Sequence, residues 1–211
     1  MIMNVIPFIY KDKNELMANC YVIIDDESSC VVVDPSCDYD GIVNYIRKNE
    51  LLCKGVLLTH THFDHIKGAD RLINAFHVPL FVTQEDEIGL TDTDYNCSLM
   101  CHGQIIIKSQ ATIIYDGEQL NLLNEPINVI TTPFHTKGSV CYYFKMSKLL
   151  FSGDTLFRGC IGRTDLSSSA PRQVKDSLAK LLKLPDETKV FPGHGLQTNV
   201  GFERKLNPFL K

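Results

Sequence analysis

Three histidines and an aspartate lie within six consecutive positions, in the segment Thr-His-Thr-His-Phe-Asp-His. They are His60, His62, Asp64 and His65. Neutral imidazole and ionised carboxylate are the ligands that zinc, iron and related metals prefer. In an extended segment alternate side chains point the same way, so the first three can share one side while His65 faces elsewhere. The spacing therefore predicts a short loop that serves two neighbouring metal ions, rather than a histidine-rich surface turn.

Three further segments offer the additional ligands that a two-metal site needs. Each follows an apolar run of strand character and holds one candidate: His135 in Thr-Pro-Phe-His-Thr, Asp154 in Ser-Gly-Asp-Thr and His194 in Pro-Gly-His-Gly. Loops at strand ends are where a rigid scaffold holds functional groups. Taken singly, each residue would more often be an ordinary hydrogen-bonded or turn residue. Seven candidate ligands in four such loops, with only His77 and His102 left outside, predict a metal centre.

The order of these motifs resembles the metallo-β-lactamase superfamily. Within it, the surroundings are similar to the short glyoxalase II-like group, the hydroxyacylglutathione hydrolases. The resemblance runs from about residue 19 to residue 208, and it includes Val-Asp-Pro at 33–35, Gly-Asp-Thr-Leu-Phe at 153–157 and Gly-Arg-Thr-Asp at 162–165. It implies an α/β fold, the four-layer αββα sandwich of this superfamily. It says less about the substrate, because one fold hosts many chemistries.

The resemblance also implies roles for the seven ligands and a reaction. A first metal would be held by His60, His62 and His135, and a second by Asp64, His65 and His194, with Asp154 between them. Two divalent ions about 3.5 Å apart acidify a shared water and polarise a carbonyl. The expected catalytic residues are Asp64 and Asp154, acting with a metal-bridging hydroxide on a small-molecule thioester such as S-D-lactoylglutathione. Zinc is the expected metal, with iron or manganese as alternatives.

Three more residues are candidates for supporting roles. Asp34 lies at a strand end and is expected to orient the first metal loop by hydrogen bonds, or else to shape a turn before proline. Arg163 falls where the resemblance places a basic residue near the glutathione carboxylate, and its alternative is a surface arginine in a turn. Lys137 follows the His-Thr pair and would add positive charge to a substrate pocket.

Composition limits the remaining possibilities. The 211 residues predict a single domain over 1–211, and the 17 residues after His194 leave no separate C-terminal helical domain for binding glutathione. The net charge of −4 gives no reason to expect nucleic-acid binding. The chain has no apolar run of the roughly 18 to 20 residues that cross a membrane, and a secretory signal is not expected. We therefore expect a cytoplasmic protein whose eight cysteines are mostly reduced; its oligomeric state stays open.

The periodicity of apolar residues predicts an alternation of strands and helices. Strands are expected at 5–9, 21–24, 31–33 and 78–83, helices at 38–49, 65–75 and 170–182, and a short helix at 84–89. The stretch 91–108 has little clear period and is expected to be a mobile or substrate-facing loop. Such alternation fits two sheets between layers of helices.

Two alternative functions come from other classes. A persulfide dioxygenase of the same superfamily uses one iron held by two histidines and an aspartate, and its Arg-Gly-Cys-Gly-Arg-Thr-Asp segment is close to residues 158–165 here. The additional Ile161 and the complete second ligand set favour the hydrolase. The other alternative is a non-catalytic binding protein on the same fold, although degenerate members usually lose ligands and none is lost here. A nuclease would favour a basic surface, which is not visible.

Overall fold

Two six-stranded sheets face each other in the computed structural model, which describes residues 3–9, 17–36, 39–100 and 103–210. The first sheet consists of β1 (Asn4–Phe8), β2 (Cys20–Ile24), β3 (Ser29–Val33), β4 (Leu52–Leu57), β5 (Leu80–Thr83) and β6 (Ala111–Ile114), paired in chain order. Strands β1 to β3 are antiparallel, and β3 to β6 are parallel. His102 and the cysteines at 37 and 101 lie outside the described residues.

The second sheet uses the later part of the chain. Its strands are β7 (Gln119–Leu120), β8 (Ile127–Thr131), β9 (Val140–Phe144), β10 (Leu149–Gly153), β13 (Lys189–Pro192) and β14 (Thr198–Asn199), in the spatial order β14-β13-β10-β9-β8-β7. A separate two-stranded hairpin joins β11 (Leu156–Phe157) to β12 (Cys160–Ile161). Strands β10 and β13 are parallel neighbours, so both end at the same edge of the sheet.

Helices cover the outer faces of both sheets. They are α1 (Tyr39–Lys48), α2 (Phe63–Ile66), α3 (Ala69–Phe76), α4 (Val174–Leu181) and α5 (Val200–Leu206), with 3-10 helices at Glu87–Leu90, Ser98–Met100, Pro171–Gln173 and Pro208–Leu210. Ile42 of α1 and Leu72 of α3 belong to the same apolar cluster as Val56 of the first sheet. Leu181 of α4 and Val200 of α5 pack with the second sheet.

The space between the sheets is a third apolar layer. In β2, Ile23 is part of the cluster between the two sheets, whereas Val22 belongs to the cluster beneath the helices. Tyr142 and Phe151 of the second sheet complete the middle layer. Because successive residues of a strand point to opposite faces, one fully buried strand contributes to two layers. This arrangement confirms the predicted αββα sandwich.

The predicted helix at 65–75 is wrong as a single element. The structure has α2 and then α3, separated at Gly68, whose backbone N–H donates to the carbonyl of Pro35 at 2.6 Å. A Cβ at this position would lie only 2.7 Å from that oxygen, so the close approach requires glycine. The predicted helix at 170–182 likewise starts as a 3-10 turn, which contains Pro171, before α4 begins.

Candidate metal centre

The seven predicted ligands meet where four strands end. The first metal loop follows β4, His135 follows β8, Asp154 follows β10, and His194 follows β13. Three groups of candidate ligand atoms lie within 4.8 Å of one another: His60, His62 and His135; His60, His65 and Asp154; and Asp64, His65 and His194. His60, His62, Asp64, His65 and His135 are buried, and Asp154 and His194 are partly buried. The fold therefore brings all seven residues into one cluster.

Three histidines form one side of this cluster. The Nδ1 atom of His62 lies 2.9 Å from the Nε2 atom of His135. The His60 ring centre is 4.8 Å from those of both His62 and His135, with the ring planes nearly perpendicular. Three imidazoles that present nitrogen atoms toward one point, instead of stacking, are an arrangement suited to a metal ion.

The other side of the cluster combines carboxylates with histidines. The Nε2 atom of His194 lies 3.1 Å from Oδ2 of Asp64 and 3.7 Å from Oδ2 of Asp154. The other oxygen of Asp154, Oδ1, lies 3.4 Å from Nε2 of His65, and its Oδ2 is also 3.4 Å from Nε2 of His135. Asp154 thus lies between the two sets of ligands; that it bridges two ions stays a prediction.

The unpaired atoms of the cluster test whether it fits metal ions. Among the described residues, the buried side-chain atoms without a hydrogen-bond partner include Nε2 of His60, Nε2 of His65 and Oδ1 of Asp154. Each such atom costs about 1–3 kcal/mol when it is buried unpaired. A cation would satisfy these atoms, because a neutral imidazole nitrogen and a carboxylate oxygen are both electron-pair donors. The donor set therefore fits divalent metals.

The electrostatics of the cluster favour positive charge at its centre. Burial raises the pKa of Asp154, but the surrounding imidazoles, His65 foremost, outweigh that effect and hold it far below its usual range. Burial lowers the pKa of His65, yet the neighbouring carboxylates, Asp34 foremost, raise it well above its usual range. Burial and the nearby His135 lower the pKa of His62 to about 3. The ionised Asp154 and the neutral His62 are in the protonation states that metal binding requires, whereas His65 must lose a proton when a metal ion binds.

Asp34 holds the metal loop from behind. Its Oδ1 accepts a hydrogen bond from the Thr59 backbone N–H at 2.7 Å, and its Oδ2 accepts one from the Thr59 hydroxyl at 2.6 Å. Oδ2 also lies 2.9 Å from Nδ1 of His65. This contact orients the His65 ring so that Nε2 faces the cluster. The geometry is the one that the sequence-based hypothesis for Asp34 requires.

Two serines that the sequence did not single out also contact the histidines. The Ser168 hydroxyl lies 2.9 Å from Nε2 of His62, and the Ser169 hydroxyl donates to the backbone carbonyl of His135 at 2.8 Å. Nδ1 of His135 in turn lies 3.0 Å from the backbone carbonyl of Arg163. These contacts leave Nδ1 of His62 and Nε2 of His135 directed at the cluster. The sequence did not predict these contacts, because the run of three serines does not have the residue types or the spacing of a ligand motif.

A cavity of about 370 Å³ opens onto the cluster. Its apolar lining consists of Phe63, Cys97, Met100, Phe157 and Leu166, and five of the candidate ligands plus Arg163 complete its wall. Two of the apolar residues, Cys97 and Met100, come from the 91–108 stretch, for which the sequence predicts a mobile or substrate-facing loop.

Arg163 and Lys137 occupy different surroundings. The Arg163 side chain is 61% exposed, and its Nε and Nη2 atoms bind the two carboxylate oxygens of Asp165 at 2.7 and 2.8 Å. Lys137 is not among the residues that line the cavity, and its ammonium lies 5.9 Å from the ring centre of Tyr95. Substrate binding by either residue stays a prediction.

The helices give no sign of a membrane segment. In the parts of the chain that the structure describes, none is both long enough and apolar enough to cross a bilayer.

Comparisons with known proteins agree with the geometry of the cluster. The family model of the metallo-beta-lactamase superfamily matches residues 14–194. The chain is 38% identical to probable metallo-hydrolase YqgX of Bacillus subtilis, over 92% of this chain and 93% of that protein. It is 31% identical to hydroxyacylglutathione hydrolase GloC of Haemophilus influenzae, over 91% of this chain and 92% of that protein.

Solved structures show the same fold. BLEG-1 B3 metallo-beta-lactamase superposes with a TM-score of 0.89 at 33% identity, covering 99% of both chains. TTHA1623 in a di-iron-bound form has a TM-score of 0.85 at 30% identity, covering 97% of this chain and all of that one. ETHE1 from Myxococcus xanthus has a TM-score of 0.77 at 25% identity, covering 99% of this chain and 84% of that one.

The matched region contains all seven clustered donors, and the relatives match over nearly their full lengths. The fold binds divalent metals, and the Bacillus subtilis relative is named as a probable metallo-hydrolase. This chain belongs to the metallo-beta-lactamase superfamily.

Proposed function

We propose that this chain is a two-metal thioester hydrolase, with S-D-lactoylglutathione as the representative substrate. The observation that carries the proposal is the complete set of seven donors around buried, unpaired nitrogen and oxygen atoms, at the base of a cavity. The similarity to a hydroxyacylglutathione hydrolase supports the choice of a small thioester. A location in the cytoplasm, a single domain and the use of zinc belong to the same proposal.

The donors divide into two sets in this proposal. His60, His62 and His135 would hold the first ion, Asp64, His65 and His194 would hold the second, and Asp154 would contribute to both. Divalent ions bound there would lower the pKa of a shared water to about 7 and polarise the substrate carbonyl.

Contacts from neighbouring residues orient the histidine donors. Asp34 fixes the ring of His65, Ser168 fixes that of His62, and the backbone carbonyl of Arg163 fixes that of His135. Each imidazole therefore keeps one nitrogen directed at the centre, which strengthens metal binding and reduces the reorganisation that the reaction requires.

The cavity wall positions the substrate in this proposal. Phe63 and Phe157 line the cavity beside the metal ligands, so the reacting carbonyl would lie against apolar surface with little competing water. A thioester suits such a site because its carbonyl is activated and the departing thiolate is itself a metal ligand.

Metal analysis of the purified chain together with a hydrolysis assay tests the proposal. We expect close to two metal ions per chain and release of thiol from S-D-lactoylglutathione. A single tightly held iron, with oxygen uptake in the presence of glutathione persulfide and no hydrolysis, would instead establish the dioxygenase. The similarity to ETHE1 and the hairpin sequence at 158–165 are the observations behind that second candidate.

A further inference from the structure

A second buried carboxylate lies behind the metal loops, in the turn after β5. Asp86 is fully buried. Each of its two carboxylate oxygens accepts two hydrogen bonds. Oδ2 accepts from the Thr61 backbone N–H at 3.0 Å and from the Thr136 hydroxyl at 2.8 Å. Oδ1 accepts from the Gly138 backbone N–H at 2.8 Å and from the Tyr95 hydroxyl at 2.8 Å. A buried aspartate with four donors is an anchor for the segments that supply them.

The donors to Asp86 identify what it anchors. Thr61 lies between His60 and His62, while Thr136 and Gly138 follow His135 closely in the sequence. These three histidines are the set proposed for the first ion. Among the residues that the structure describes, none next to Asp64, His65 or His194 donates a hydrogen bond to the Asp86 side chain. Asp86 therefore links the two chain segments that supply ligands to one ion. These segments are far apart in the sequence, since His62 and His135 are separated by 73 positions.

The backbone around Asp86 reinforces this connection. The Thr61 hydroxyl donates to the carbonyl of Asp86 at 3.0 Å, and the Thr83 hydroxyl donates to the carbonyl of Gly138 at 2.6 Å. A Cβ on Gly138 would lie 2.4 Å from the Thr83 hydroxyl oxygen and 2.6 Å from the Asp86 nitrogen. The segment after His135 thus rests directly on the turn that carries Asp86, with no space for a side chain between them.

We propose that Asp86 is a positioning residue for the first metal ion, fixing the distance between the His60–His62 segment and His135 without contacting the metal. This inference rests on the two-metal function proposed above. Outer hydrogen-bond partners of metal ligands typically change metal affinity by about 10- to 100-fold when they are mutated. Asp86 differs from those partners because it acts through the backbone of the ligand segments, so its loss misplaces three ligands together.

The substitution Asp86→Asn tests the proposal with a minimal change of volume. An asparagine side chain keeps one acceptor oxygen and replaces the other with an N–H₂ group. Each oxygen of Asp86 now serves one backbone N–H, from Thr61 or from Gly138, so the amide must face one of those donors with its own N–H₂ group. Whichever way the amide turns, one of the two ligand segments loses its anchor.

Titration of the metal-free full-length chain with Zn²⁺ measures the consequence. The unchanged chain should show two binding steps, and His194→Ala, which removes a ligand of the second ion only, identifies the step that belongs to that ion. We expect Asp86→Asn to weaken the other step by about 10- to 100-fold and to leave the His194-dependent step almost unchanged.

Glu125→Gln is the matched control. Glu125 is also a buried carboxylate, and it accepts hydrogen bonds from the backbone N–H groups of Met146 and Ser147. It lies in the loop between β7 and β8 and contacts the turn between β9 and β10, at the opposite end of β10 from Asp154. We expect this variant to melt at a lower temperature while both Zn²⁺ steps stay as in the unchanged chain.

Three outcomes would overturn the inference. They are two unchanged binding steps in Asp86→Asn, an equal weakening of both steps, and a weakening confined to the His194-dependent step. If Asp86→Asn does not fold, Thr136→Val removes only one of the four hydrogen bonds and should weaken the same step by a smaller factor; no change there would equally overturn it. A single Zn²⁺ step in the unchanged chain would refute the two-metal function itself, so the two failures are distinguishable.

Discussion

A single added methyl group at Gly193 is expected to disable the metal centre. Gly193 precedes His194, and a Cβ built on it would lie 2.3 Å from Oδ1 of Asp154 and 2.7 Å from Cε1 of His65. The backbone N–H of Gly193 donates to the carbonyl of Gly153 at 2.8 Å, which holds this loop against the end of β10. Because the loop is held in place on both sides of this contact, Gly193→Ala must displace a proposed ligand.

The distances set the size of the effect. Real Cβ atoms essentially never approach a neighbour within 3.0 Å, so the carboxylate of Asp154 or the Gly193 backbone must move by roughly 0.7 Å. Displacements near 1 Å in a catalytic arrangement cost about 100-fold in rate. We therefore expect kcat for thioester hydrolysis to fall by about 100-fold, accompanied by a loss of metal.

Steady-state kinetics with metal analysis of the same samples checks this prediction. Gly195→Ala is the control, because a Cβ there meets no atom within 4 Å, although the positive φ of 78° makes alanine strained by about 1–2 kcal/mol. It should lower thermal stability modestly and leave metal content intact. Full metal content and an unchanged kcat in Gly193→Ala would refute the reasoning that the close contact between Gly193 and Asp154 maintains the centre.

Four further predictions address the ligands and the substrate contacts. Asp154→Ala should reduce metal content and turnover far more than the melting temperature, because both ions lose an anionic ligand; full metal occupancy by elemental analysis would exclude a bridging role. His77→Ala should leave metal content unchanged, since His77 ends α3 outside the cluster. Arg163→Ala should raise KM for S-D-lactoylglutathione by about two- to fivefold, with kcat unchanged, because an exposed ion pair contributes little and the Arg163 guanidinium is already paired with Asp165. An unchanged KM would assign this arginine to the surface turn. Metal affinity should fall as the pH is lowered. Burial lowers the pKa of His65, but the neighbouring carboxylates raise it well above 6.5, so a proton competes with the metal already near neutral pH. Equal metal retention after dialysis across pH 5 to 8 would contradict this.

The sequence alone identified the candidate ligands because their chemistry and their local surroundings are both encoded over a few residues. His60, His62, Asp64 and His65 form a contiguous motif after a strand, and each of the other three ligands follows its own apolar run. Helix and strand positions were readable for the same reason, since burial on one or both faces leaves a period in the sequence. The break at Gly68 was not readable, because it depends on contact with Pro35, 33 positions earlier.

The tertiary structure alone decided how the candidate ligands are held. Ser168 contacts His62 across 106 residues, and Asp86 contacts Gly138 across 52. A serine or an aspartate carries no mark of such a partner in its own neighbourhood, where it resembles any turn residue. These contacts follow from the register of two sheets and from the loops that their strand ends bring together. The sequence therefore determined which atoms can bind metal, and the packing of the sheets determined which buried groups fix those atoms in place.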